Sequence, residues 1–235
     1  MRTFLVWLLL TTPCWAAASR SFDNANDNIS MGNVLDVTTG SVSVACWIRP
    51  NDDAEADAIM GKKLNNGTGA GYALRQNTND QVGSSQADGT TQAADSHGAG
   101  SPVLDVWAFA ASTWNGSTDT AEAFANGVSD GGTATTIGSI TSTNSLIAGE
   151  YAGGATDYNG EIAYCAVFVD DVLTTQQIAE MQWVPLVSGT IPDGLWPLWG
   201  DATEIDLSGN GYTGTVTGAT TSTDGPPVMI GTMIL

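Results

Sequence analysis

The side chains in this chain that could do chemistry are mostly carboxylates and amides set among glycines. Two carboxylate pairs have the spacing of two that puts both groups on one face of a strand: Glu55 with Asp57 in NDDAEADA, and Glu204 with Asp206 in EIDLSGN. Hydrolysis of a glycosidic bond needs two carboxyls facing one scissile bond. The first pair instead reads as an acidic loop after Pro50, and the second enters a Ser-Gly-Asn-Gly turn, where a carboxylate serves turn hydrogen bonds or an ion. The chain is therefore read as non-catalytic. Hard cations take several oxygens from carboxylates, amides and main-chain carbonyls, so Asp and Asn in Gly-rich turns make calcium the cofactor to expect. Capping of the turns by the same oxygens is the competing use. His97, the single histidine, stands in ADSHGAGS and reads as a solvated loop residue, with no second ring for a multi-histidine site.

Cysteine usage depends on where the mature chain begins. Met1 and Arg2, the apolar run TFLVWLLL and the small residues Ala16, Ala17 and Ala18 form an export signal, expected to be cleaved after Ala18. Residues 1–18 are thus a signal peptide, and residues 19–235 a single domain in a secreted, extracellular or periplasmic setting. Cys14 leaves with the signal, and the two cysteines that remain, Cys46 and Cys165, both lie in apolar strand-like runs. They can form one disulfide, or pack as two buried thiols.

Composition excludes several partners. Six basic residues stand against twenty-five acidic ones, for a net charge of -19, so the chain cannot neutralise a run of phosphates, and docking on anionic lipid is disfavoured. Beyond the signal no window approaches eighteen apolar residues, so no membrane span is expected. Eight Trp and a steady supply of Val and Ile speak for a folded core over disorder.

The elements that must position these groups read as strand after strand. In SVSVACWIRP, Val42, Val44, Cys46 and Ile48 share one face, and Ser43, Ala45, Trp47 and Arg49 the other. WAFAASTW (107–114), a turn at Asn115-Gly116 and AEAFA (121–125) make a hairpin. Further strands are expected at 59–64, 71–76, 145–150 and 161–169, while 84–101 and 129–144 read as loops or short edge strands. One segment differs. In TTQQIAEMQW (174–183) Thr174 can cap, Gln177 stands three residues on, and Ile178 and Met181 recur at helical spacing. The fold class is all-β: a two-sheet antiparallel β-sandwich of jelly-roll type with one short helix in the C-terminal third.

Several segments resemble, in order, the laminin-G-like family of concanavalin A-type lectin and glucanase jelly rolls. SFDNANDNISMGN (21–33) is similar to that family's opening strands, SVSVACWIRP to the strand that follows, and GYAL, WAFAASTWNG and FANG to its central strands and turns. NGEIAYCAVF and VLTTQQIAEM resemble its late strand and helix, and GLWPLWGDATEIDLSGNGYTGTV (194–216) a closing strand with its SGNG turn, here at the end of the chain rather than the beginning. The resemblance implies a lectin-like domain that binds extracellular or cell-surface glycan or a cell-surface protein. The alternative is a self-assembling structural or adhesive subunit of a surface layer, virion or extracellular appendage. It also implies two calcium constellations: Asp23 and Asp27 with Asp206 and Asn210, or, by similarity to the pentraxins, Asp80 with Glu150 and Asp157. In the second, Ala152 stands where a carboxylate is expected. Of the aromatic residues, Tyr151 and Tyr158, in the Gly-rich loop EYAGGATDY, are the ones expected to be exposed for sugar contact.

Overall fold

The computed structural model describes residues 18–37, 40–51, 57–65, 68–93, 96–97, 100, 102–183, 189–200 and 202–227. The expected signal peptide, apart from Ala18, lies outside these residues, as does Glu55. The first half of the chain supplies β1 (Ser19–Asp23), β2 (Asn28–Gly32), β3 (Val42–Pro50), β4 (Ala58–Gly61), β5 (Gly71–Gln76), β6 (Val82–Ala87), β7 (Ser96–His97) and β8 (Ala108–Asn115). There follow β9 (Thr120–Ala125), β10 (Val128–Ser129), β11 (Thr133–Ala134), β12 (Leu146–Ala148), β13 (Glu150–Tyr151), β14 (Ala155–Asp157) and β15 (Asn159–Val169). Helix α1 (Thr175–Met181) precedes β16 (Gly194–Trp196), β17 (Thr203–Glu204), β18 (Gly214–Thr217) and β19 (Thr220–Ser222).

Two antiparallel sheets form the sandwich. One runs in the order β10-β9-β8-β3-β15-β1-β19, with β11 also on β9 and β16 also on β15; the other runs β17-β18-β2-β12-β4-β5-β6-β7. The period-two pattern of β3 sets the layers. Val42, Val44, Cys46 and Ile48 enter the core between the sheets, while Ala45 and Trp47 face the outer side. That outer side is covered by α1 through Ile178 and Met181. The helix starts with the reciprocal capping pair expected from TTQQ: Thr174 Oγ1 accepts from the Gln177 N–H at 3.2 Å, and Gln177 Oε1 accepts from the Thr174 N–H at 2.9 Å.

β15 breaks the alternation once, with consequences for the cysteines. Opposite β3, Ala163 pairs with Trp47 and Ala166 with Ala45, so Tyr164 and Cys165 together face Cys46. Tyr164 takes a left-handed backbone at φ 47° and donates its N–H to Pro197 O. A bulge of this kind adds one residue and reverses the parity of all that follow. Ile162, Cys165 and Val167 therefore all reach the inner core despite their odd spacing. Cys46 and Cys165, both fully buried, are joined in a disulfide between neighbouring strands, with Cα atoms 4.2 Å apart.

Two segments depart from the sequence pattern. β6, of sequence VGSSQA, is buried along its whole length although it carries Ser84, Ser85 and Gln86. Its hydroxyls are satisfied internally: Ser84 Oγ donates to Thr113 O, and Gln86 Nε2 to Ser84 Oγ. His97, expected in a loop, belongs to β7 and pairs with Gly83 of β6.

The C-terminal segment enters both sheets. β16 pairs with Cys165–Val167, β17 and β18 extend the second sheet beyond β2, and β19 lies beside β1. Trp196 and Leu198 are fully buried, each such side chain contributing about 1.5–3 kcal/mol. Arg20 and Glu204 form an ion pair whose side chains are 2% and 1% exposed, and Glu204 also accepts the N–H groups of Trp199 and Gly200. This tie holds β1 against the end of the chain.

Candidate functional site

At the end of the sandwich marked by Asp23 and Pro50, three turns converge. The β1–β2 turn (24–27) holds Asn24 and Asn26 in left-handed backbone, and Asp27 folds back so that its Oδ2 accepts the Asp23 N–H at 2.9 Å. The β13–β14 hairpin places Glu150 opposite Asp157, and Asp157 Oδ2 accepts the Asn26 N–H at 2.7 Å. The third turn approaches through Gly218, whose φ of 71° suits glycine; a Cβ there would lie 1.9 Å from Asp27 Oδ1. Asp23, Asp27, Asp157 and Glu150 thus form a chain of four acids along one rim.

The electrostatics follow from this crowding. Burial pushes the Glu150 carboxyl up to about 7, and its hydrogen bond with Asp157 and that neighbour's negative charge add to the rise. Asp27, only 6% exposed, is also raised, first by burial; the Asp23 N–H pulls back against this, and the charges of Asp23 and Asp157 push with it.

The expected constellations are redistributed. Asp23 and Asp27 do meet, but Asp206 and Asn210 serve their own turn. Asp206 Oδ1 accepts from the N–H groups of Leu195 and Ser208, and its Oδ2 from the Tyr212 N–H and the Ser208 hydroxyl. Burial works against the Asp206 charge, yet these donors together hold its carboxyl below the usual range. Asn210 Nδ2 donates to Asp193 O. Glu150 and Asp157 meet as well, whereas Asp80 sits in the β5–β6 turn at φ 60° and accepts from Gln76 Nε2. The structure therefore joins two residues of each set. The oxygens are of the kind calcium takes, but among the described residues no three acidic, histidine or cysteine side chains are gathered as a ligand set.

The aromatic residues also require correction. Tyr151 and Tyr158, expected to be exposed in the loop, are 3% and 1% exposed. Tyr151 lies against Ala58 and Ala73 of the second sheet, and Tyr158 meets the Phe22 ring edge-on at 6.3 Å. Hairpin formation turned the two rings inward while Gly153 and Gly154 stay exposed, and no glycine count signals that. Trp47 packs edge-on against Phe109, and the Tyr72 hydroxyl donates to Leu35 O.

Solved structures share this architecture. One is a protein from Bacteroides ovatus ATCC 8483 whose proposed role is carbohydrate binding, with a TM-score of 0.69 and 17% identity over 94% of this chain; the match spans 63% of that protein's length. Another is the heptameric SAP-like pentraxin of Limulus polyphemus, with a TM-score of 0.59 and 15% identity, covering 86% of this chain and 96% of the pentraxin. A third is the CBM40 module of the Ruminococcus gnavus IT-sialidase bound to α2,3-sialyllactose, with a TM-score of 0.52 and 13% identity over 71% of this chain and 98% of the module. Identities this low establish the fold. No curated protein matches the sequence. Residues 23–179, from the end of β1 into α1, match the Laminin_G_3 model of the concanavalin A-like lectin/glucanases superfamily, and the chain belongs to that laminin-G-like family.

Proposed function

We propose that this chain is a secreted, non-catalytic carbohydrate-binding domain that recognises extracellular or cell-surface glycan. The observation that carries this reading is the convergence of three turns on Asp27 at one end of a lectin-type sandwich. It offers carboxylate and amide groups at a rim where sugar hydroxyls can meet them. A buried disulfide supports folding in an oxidising compartment. No described helix is long and apolar enough to cross a membrane.

The acids support binding rather than hydrolysis. Glycosidases hold their two carboxyls roughly 5–9.5 Å apart around the scissile bond, whereas Glu150 and Asp157 are in direct hydrogen-bond contact. Glu204 is committed to Arg20, and Asp206 to its turn. The sheets end in strands of two or three residues, β10, β7, β17 and β19, which leaves little edge for strand-to-strand assembly. Calcium belongs to the proposal with Asp23, Asp27, Asp157 and Glu150 as its donors, and an ion there would have to open the Glu150–Asp157 contact.

A glycan array probed with residues 19–235, with and without EGTA, tests this reading. Binding to defined sugars is the expected outcome, and its loss in EGTA gives the ion a part in capture. Unchanged binding and melting temperature in EGTA would remove calcium from the proposal. Silence across the array together with self-assembly in solution would replace the glycan reading with the structural one.

A further inference from the structure

The opposite end of the sandwich carries a pocket that none of the residues named so far as ligand contacts touches. β3 pairs its last residue, Pro50, with Gly160 next to the rim, and its first residue, Val42, with Trp114 of β8. Its nine residues, at about 3.3 Å each, separate the two ends by roughly 25–30 Å. Around Trp114 the surface folds into a pocket of about 210 Å³, lined by Gly40, Trp114, Gly116, Asp119 and the run 137–140.

The walls are held from outside. Gly138 donates its N–H to Asp88 Oδ2 at 2.8 Å, and the same carboxylate accepts from Thr90 and Thr91, so the run 137–140 is pinned to the turn that follows β6. Thr141 Oγ1 donates to Val37 O. Gly116 donates its N–H to Ser41 Oγ, fixing the β8–β9 turn against the start of β3. Gly40 leaves no room for a side chain, since a Cβ there would lie 1.6 Å from Asp170 Oδ1. Such a wall needs little ordering on binding.

The lining has a definite chemistry. Trp114 is 2% exposed, so it forms an apolar floor rather than an open platform. Asp119 uses its carbonyl to accept the Thr135 N–H, while among the described residues its carboxylate has no hydrogen-bond or ion-pair partner. The Ser139 hydroxyl is engaged with Thr141, and no described lining residue is cationic. An apolar floor beneath an uncommitted carboxylate is the complement of a sugar ring, which presents C–H groups on one side and hydroxyl donors at its edge. The volume falls below the roughly 300–1,000 Å³ of pockets that enclose a drug-sized ligand, which limits the occupant to one ring. The Asp119 carboxylate, with those of Asp88 and Asp170 behind the walls and a net charge of -19 on the chain, disfavours anionic sugars.

We infer that this pocket is a second saccharide site, one that takes a single neutral pyranose ring at the end of a glycan and rejects sialylated and sulfated ends. The inference rests on the carbohydrate-binding reading and places a site where that reading does not require one. Asp119 accepts from ring hydroxyls and sets the preference for uncharged sugars, and Trp114 supplies the floor.

Calorimetric titration with methyl glycosides of neutral hexoses, sialyllactose and a sulfated hexose is the test, using residues 19–235, Asp119→Ala, Asp119→Asn, Trp114→Phe and the rim double variant Asp27→Asn/Glu150→Gln. A neutral methyl glycoside should bind with a Kd on the order of 1 mM. Asp119→Ala and Trp114→Phe should weaken it at least about tenfold, with a parent-like circular dichroism spectrum and a cooperative melt, at a somewhat lower temperature, as the check on folding. Asp119→Asn, which keeps an acceptor and tolerates the left-handed backbone at φ 51°, should stay close to the parent. The rim variant should bind as the parent does. Binding that survives Asp119→Ala but is lost in the rim variant would overturn the pocket while leaving glycan recognition standing. Equal affinity for sialylated and neutral sugars would also overturn it, as would failure to bind any neutral glycoside. In that last case, binding to longer glycans on the array would still separate this failure from that of the general reading.

Discussion

At the Pro50 end of β3 the sandwich gathers charge without an obvious cavity, and at the Val42 end it forms a cavity with one carboxylate, that of Asp119, among its described lining residues. The rim is made of acidic residues, two of them pushed toward the protonated state by their own crowding. The pocket is made of glycines, a core tryptophan and the run 137–140, with Asp119 as the ionisable group among the described lining residues. Both ends hang on the same central strand and share one core. Carboxylates forced together favour protons or a cation, whereas a carboxylate alone above an apolar floor favours a neutral hydrogen-bond donor. One fold can thus present two recognition chemistries if its turns are composed differently at each end.

The largest effect that probes this comparison should come from the frame both ends share. Cys46 lies midway along β3, and its bond to Cys165 closes a span of 119 residues. Replacing both cysteines by Ala should lower stability by about 4–5 kcal/mol, the chain-entropy expectation for a loop of that size. Urea denaturation measures the loss, and amide exchange should show both ends loosening together. Loosening confined to one end would break the picture of two sites on one rigid frame.

A smaller effect should belong to the rim alone. The folded value of Glu150, about 7, lies above its ordinary 4.5, so its contribution favours the folded state below about pH 4.5 and is lost as pH rises through 7. Without calcium, the melting temperature should fall between pH 5 and pH 8, and Glu150→Gln should flatten that slope. Asp88 and Asp206 act in the opposite sense. Their carboxyls are held below the usual range, Asp88 by the N–H groups of Thr91, Gly138 and Thr90, so their stabilisation is lost only as pH falls below about 4. A slope from pH 5 to 8 that survives Glu150→Gln would remove Glu150 as its source.

The smallest effect should be confined to the pocket end. Asp88→Ala removes the acceptor that pins Gly138, so exchange at Gly138, Thr90 and Thr91 should quicken while the rim amides and the overall melt stay nearly unchanged. A broad loss of protection would mean that Asp88 supports the fold and not only the wall.

The sequence announced these regions unequally. Regular burial was legible: the alternation in β3 and the Thr174–Gln177 capping pair each state a local rule that tertiary packing kept, whereas the Asn115-Gly116 pair opens a four-residue connection, 116–119, whose left-handed residue is Asp119. β6 was hidden because its inward residues are Ser and Gln, acceptable only where Thr113 supplies an acceptor that no pattern reveals. The bulge at Tyr164 was hidden too, since parity within β15 changes without a glycine to mark it. At the rim the acidic residues were recognised but their grouping was not, because Asp206 looks like a ligand until Leu195, Ser208 and Tyr212 are seen to occupy it. The pocket carried no signal beyond Trp114, whose neighbours there are mostly glycines and a run with no motif of its own.

The position of β1 governs when the protein can fold. This first strand lies between β15 and β19, and its Arg20 is neutralised by a partner 184 residues later in the chain. An emerging chain that holds only β1 to β14 has neither neighbour for that strand, and would leave a buried guanidinium without its counter-charge. Contacts of such long range form late and slowly. The chain should therefore stay unlocked until β15 to β19 have been made.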